Sequence, residues 1–120
     1  MASIAPYEDE TVKRHFLALW RKYGHIIDYV NFQFYAYDKL SVSQFIRNLN
    51  EQASNYGGGQ LLASFQSGGG GGLRPGDGFF EACNELKDQG KLGGIFIWCA
   101  DESKTNSFQY EKKSQDLLAA

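Results

Sequence analysis

The chain has 120 residues, enough for one domain, and its 42% hydrophobic and 22% charged content supports a buried core rather than disorder. Twelve Lys and Arg against fourteen Asp and Glu give a net charge of −2, which argues against a surface that neutralises rows of phosphates, on nucleic acid or on an anionic membrane. Nothing approaches the roughly 18 apolar residues of a membrane span, Met1 to Tyr7 does not read as a signal peptide, and Cys83 and Cys99 are too few for a disulfide framework.

Residues 8–23 predict a helix. Val12, Phe16, Leu19, Trp20 and Tyr23 share one face at 3.6 residues per turn. Glu8, Asp9 and Glu10 complement its N-terminal dipole, and Gly24 is a natural stop. Residues 26–36 read as a strand with two distinct faces. Val30, Phe32, Phe34 and Ala36 make an apolar face, and Tyr29, Asn31, Gln33 and Tyr35 make a hydrogen-bonding one. Such a strand suits packing against helices outside and lining a polar pocket inside.

A second helix is expected over 41–56, with Val42, Phe45, Ile46, Leu49, Ala53 and Tyr56 as its apolar stripe and Ser41 with Gln44 at capping-box spacing. Gly57 to Gly59 end it, and a strand follows at about 60–65. The stretch 66–78, with glycines at 68–72, reads as a flexible loop; it lacks the Gly-Lys-Ser/Thr ending of a phosphate cradle. Asp77 is the expected N-cap of a third helix with Phe79, Cys83 and Leu86 on its buried side and Gly90 as its stop. A strand over 94–99 and a weaker helix over 107–120 complete the chain.

Helices alternate with strands, and each strand follows its helix through a glycine turn. That order predicts parallel strands with right-handed crossovers and long loops gathered at the C-terminal strand ends, where α/β proteins carry their sites. Three strands, with a fourth ending at Ser3-Ile4-Ala5, cannot close a barrel, which needs eight. The fold class expected is therefore α/β, an incomplete barrel of parallel (β/α) units, read as one partial domain over residues 1–120, with exposed sheet edges that favour self-association.

The stretches His25-Ile26-Ile27-Asp28-Tyr29-Val30-Asn31-Phe32-Gln33-Phe34-Tyr35 and Gly93-Gly94-Ile95-Phe96-Ile97-Trp98, with Leu17-Ala18-Leu19-Trp20 ahead of them, resemble the C-terminal part of plant glycoside hydrolase family 18 proteins, nearest the chitinase 2-like and narbonin-like branch. The resemblance covers nearly the whole chain. It implies about half of a TIM barrel, from the end of strand five at Ser3 to Tyr7 through strand eight.

It also implies a ligand, chitin or N-acetylglucosamine oligosaccharides. Gln33 and Tyr35 match the family residues that reach the sugar at the cleavage point, and Trp98 matches the hydrophobic floor beneath it. Asn31 shares their face. Tyr37 and Asp38 are second choices, in the register of a Tyr-Asp pair that bacterial relatives carry. The family's Asp-x-x-Asp-x-Asp-x-Glu motif does not occur in these residues, so no catalytic residue is assigned and hydrolysis by this chain alone is not expected. Asp101 and Glu102 are adjacent and do not read as a matched acid and base. Family members such as narbonin keep the barrel without turnover, which leaves a lectin-like or storage role as the alternative. His15, His25, Cys83 and Cys99 show no metal-ligand spacing, and no cofactor is expected. Relatives are often secreted or vacuolar, but these residues settle no location.

Overall fold

In the computed structural model, which describes residues 1–56 and 60–120, the first helix starts at Asp9. The expected turn at Gly57 to Gly59 lies outside the described residues. The Asp9 carboxylate accepts from the Thr11 and Val12 amides, and helix α1 runs Glu10–Tyr23. Gly24 follows in a right-handed conformation and opens a short 3₁₀ turn, Gly24–Ile26, so it is not the left-handed stop expected. A Cβ there would press on the Trp20 ring at 3.0 Å, so a close approach accounts for the glycine.

Helix α2, Val42–Asn55, begins with the expected reciprocal cap: Ser41 Oγ accepts from the Gln44 amide and Gln44 Oε1 from the Ser41 amide. Helix α3, Phe79–Asp88, departs from expectation. Asp77 belongs to a 3₁₀ turn, Pro75–Asp77, and the N-cap is Gly78 at φ 114°, with no side-chain cap. Pro75 favours the turn, and the left-handed residue that redirects the chain into the helix is better served by glycine than by aspartate. A short helix α4, Ala100–Ser103, precedes α5, Gln109–Ala119. Ser107 and Phe108 take left-handed conformations, and Phe108 is 40% exposed at the N-cap rather than inside the helix.

The strands are β1 (Ser3–Ile4), β2 (Tyr29–Val30), β3 (Ala63–Gln66) and β4 (Ile95–Trp98). β1 pairs with β2 in parallel, and β3 with β4, with Ser64 opposite Phe96 and Gln66 opposite Trp98. A parallel bridge between Val30 and Leu61 joins the two pairs. The array is open, part of a barrel and not a closed one, as the alternation predicts.

β2 is shorter than the sequence suggests. Its ladder ends at Val30, and residues Phe34–Ala36 form a 3₁₀ turn. The alternation nevertheless holds through Phe34: Val30, Phe32 and Phe34 are fully buried, whereas Ala36 lies outside at the turn. These rings meet the helices in a relay of tilted and edge-on contacts, Phe34 to Phe45 at 5.2 Å, Phe45 to Phe79 at 5.6 Å and Phe79 to Phe65 at 4.7 Å between centroids. The core therefore sits between the strands and α2 and α3.

Candidate functional site

Alternation along β4 separates two environments. Ile95 and Ile97 line a groove with Ser114 and Leu118 of α5, so Phe96 and Trp98 occupy the opposite face, away from the helices. The Tyr35 ring approaches Phe96 at 6.2 Å between centroids and shares that face. Trp98 is 49% exposed there, offering a broad indole surface.

Gln33 and Tyr35 are fixed by hydrogen bonds. Gln33 Nε2 donates to the Ala5 carbonyl at 2.6 Å, and the Gln33 backbone amide donates to the Pro6 carbonyl at 2.8 Å. The Tyr35 hydroxyl donates to Gln33 Oε1 at 3.2 Å. Burial, followed by the nearby Cys99 thiol, holds the Tyr35 hydroxyl above its ordinary pKa, so the phenol is a neutral donor at physiological pH. Asn31 is half-buried, and its amide N–H reaches the Ile4 carbonyl at 2.7 Å. Tyr29 is exposed at the N-terminal end of the same row.

Tyr37 is not with this group. Its ring lies 6.2 Å from both Phe32 and Phe34, and its hydroxyl accepts from Gln52 Nε2 of α2 at 3.2 Å. Asp38 is exposed in the loop beyond it. The structure thus brings Gln33, Tyr35 and Trp98 towards one face and turns Tyr37 to the helix side.

The glycine-rich stretch is docked. The Gly71 amide donates to the Tyr35 carbonyl at 3.2 Å, the Gly72 amide to the Tyr37 carbonyl at 2.8 Å, and the Gly72 carbonyl accepts from the Leu40 amide at 2.9 Å. A Cβ on Gly71 would collide with the Tyr37 carbonyl oxygen, and one on Gly72, at φ 70°, would lie 2.5 Å from the Phe34 carbonyl oxygen. The run reads as flexible from composition because the backbone it fits is 30 or more residues away in sequence.

Sequence reasoning missed two members of this rim. Gln66 follows Ser64 on the face shared with Trp98, and its Nε2 lies 3.5 Å from Glu102 Oε1. Glu102 also accepts from the Gly68 amide at 2.9 Å, while Asp101 is exposed. The pair Asp101 and Glu102 therefore divides, and Glu102 ties the loop after β3 to the start of α4. A polar residue two places after Ser64 on the same strand face was the available signal. Among the described residues, no cluster of His, Cys, Asp and Glu is placed to hold a metal, and no helix is long and apolar enough to cross a membrane.

Comparison with known proteins gives the fold a family. No protein-family model matches the chain. It is 56% identical over 121 aligned residues to "Chitinase 1" of Tulipa saxatilis subsp. bakeri, covering 98% of this chain and 38% of that protein. A family 18 chitinase structure from Crocus vernus superposes with a TM-score of 0.94 at 43% identity, over 100% of this chain and 44% of that one. The chain matches one part of the plant family 18 chitinases. The catalytic domain of a family 18 chitinase from the fern Peteris ryukyuensis agrees, at TM-score 0.90 and 46% identity, again over 100% of this chain and 44% of the other. This family 18 segment therefore spans less than half the length of the relatives it matches, and its open array corresponds to part of their TIM barrel. The motifs around Gln33 and Trp98 pointed to the right family.

Proposed function

We propose that this family 18 segment forms one wall of a cleft for N-acetylglucosamine oligosaccharides, and that it binds them without hydrolysing them by itself. The observation that supports the reading best is the chain of contacts from Ala5 through the Gln33 amide to the Tyr35 hydroxyl, on the side where Phe96 and Trp98 lie. A held amide and a neutral phenol suit the acetamide and hydroxyl groups of the sugar. A half-exposed indole suits the apolar face of a pyranose. Asn31 extends the polar row below them.

Tyr37 lies off this wall, because its ring packs on Phe32 and Phe34 and its hydroxyl meets Gln52 of α2. Hydrolysis by the substrate-assisted route needs a carboxylic acid at the leaving oxygen and a second carboxylate that orients the acetamide. The Asp-x-x-Asp-x-Asp-x-Glu spacing that would supply them is not found in these residues. Binding without turnover would fit the narbonin-like branch that the motifs suggest.

The test is calorimetric titration of chitotetraose into the wild type, Trp98→Ala and Gln33→Ala, alongside a fluorogenic chitobioside. Binding that both substitutions weaken, with no product released, supports the reading. Saccharide binding unaffected by either substitution would overturn the site, and steady product release would overturn the claim of no turnover.

A further inference from the structure

Gln52 is polar where its helix should be apolar. Phe45, Leu49, Gln52 and Tyr56 follow one another along the inward stripe of α2, and Gln52 is 1% exposed. A buried amide with unmade hydrogen bonds would be costly, so its partners identify its role.

Gln52 Nε2 donates to Glu8 Oε2 at 3.0 Å and to the Tyr37 hydroxyl at 3.2 Å, and Gln52 Oε1 accepts from Asn55 Nδ2 at 3.1 Å. Glu8 also meets Lys13 Nζ at 3.6 Å, which keeps its carboxylate beside the amide. Glu8 lies three residues beyond Ala5, whose carbonyl receives Gln33 Nε2. Tyr37 lies two residues beyond Tyr35 and closes the 3₁₀ turn by donating its backbone N–H to the Phe34 carbonyl at 3.3 Å. One side chain therefore grips both segments that meet at Gln33: the loop after β1 that receives its amide, and the turn after β2 that carries it.

We infer that Gln52 is a positioning residue, which sets the orientation of Gln33 and Tyr35 from the far side of the sheet by fixing Glu8 and Tyr37 to α2. That these two residues meet a saccharide rests on the proposed function; that Gln52 positions them does not. Without Gln52, the Ala5–Glu8 segment and the Phe34–Tyr37 turn would lose their shared anchor, and the Gln33 amide would lose its fixed partner.

The test needs no ligand. In the nitrogen–proton NMR spectrum of the wild type, the Gln33 side-chain amide should resolve from the exposed Gln and Asn signals and exchange slowly. In Gln52→Leu it should move into that envelope and exchange about 10-fold or more faster, while the Phe45 and Leu49 backbone amides stay protected. A lowered melting temperature with an unchanged Gln33 amide would make Gln52 an ordinary core residue and overturn the inference. Should Gln52→Leu fail to fold, Glu8→Ala and Tyr37→Phe decide the matter: each removes one grip, and the inference requires the Gln33 signal to move in both and fails if it moves in neither or in only one. Chitotetraose titration of the same variants then tests the saccharide reading separately. A shifted Gln33 amide without any binding in the wild type would refute that reading and leave the positioning role intact.

Discussion

The Ser64 hydroxyl donates to the Phe32 carbonyl oxygen at 2.6 Å, at a position that solvent does not reach. Ser64 Oγ in turn accepts from the Phe34 amide at 3.0 Å. This contact explains why β2 can stop at Val30. Where the strand bends into its 3₁₀ turn, a side chain from β3 takes over the backbone groups that a longer ladder would have satisfied. Ser64→Ala leaves the Phe32 carbonyl and the Phe34 amide only their 3.0 Å contact with each other, and is expected to lower stability by about 0.5–1.5 kcal/mol in urea denaturation. A loss well below 0.5 kcal/mol would mean that water or a relaxed backbone replaces the hydroxyl.

The docked glycine run makes a second prediction by contrast. Gly72→Ala places a Cβ against the Phe34 carbonyl at a positive φ, and Gly71→Ala drives one into the Tyr37 carbonyl oxygen. Each should cost more than about 1 kcal/mol. Gly76→Ala, with nothing within 4 Å of the added carbon, should stay within about 0.5 kcal/mol of the wild type. Equal effects at all three positions would show that the run is loose.

A third prediction concerns alkaline pH. Burial pushes the Tyr37 hydroxyl up to about 12; the Gln52 hydrogen bond draws it down, and the charges of Glu8 and Glu51 raise it further. Burial, then the charge on Glu8, takes Tyr56 to about 12, and burial alone takes the Cys83 thiol to about 12. The unfolded chain loses these protons near the ordinary values of 10.0 for tyrosine and 9.0 for cysteine, so above them it binds fewer protons than the folded one. The stability these groups contribute is present below about pH 9 and is lost as pH rises through about 12. Melting temperature measured from pH 8 to 12 should fall across that window, with tyrosinate absorbance rising as the fold is lost. A flat profile to pH 12 would contradict the burial of these groups.

Lys87 offers a test at the other end of the molecule. Its Nζ donates to the carbonyls of Leu117 at 2.6 Å and Ala120 at 2.5 Å, so a side chain of α3 caps the C-terminus of α5. Lys87→Met keeps most of the aliphatic stem and removes the donor. The last turn of α5 should exchange its amides faster by hydrogen exchange, with global stability lowered by about 0.5–1.5 kcal/mol. Unchanged protection there would show that the cap does not hold the helix end.

Much of this was legible in the sequence because it is local. Helices α1 and α2 and the last strand follow from apolar periodicity, and the two faces of the Val30–Tyr35 stretch follow from strict alternation. What was not legible is non-local. A run of Tyr, Val and Phe has strand propensity, and only Ser64, on another strand, reveals where that strand ends. Glu8 reads as helix-start charge until it is seen to bond Gln52 across 44 residues. A lone Gln on a helix reads as solvated until its burial is known. Tyr37 fits a sugar-site motif by spacing, but the turn after Gln33 breaks the alternation and swings it to the helix side.

Gln33, Tyr35 and Trp98 are proposed to meet a saccharide together. The most direct measurement is a chitotetraose titration followed by NMR, because the two indole groups act as opposed reporters. Trp98 is half-exposed on the proposed wall, and Trp20 packs edge-on against Tyr56 at 5.7 Å on the helix side. Saturable shifts of the Trp98 indole and the Gln33 side-chain amide are expected, with Trp20 unmoved. Saturable shifts that leave Trp98 and Gln33 in place, or no shift at saturating sugar, would contradict that proposal.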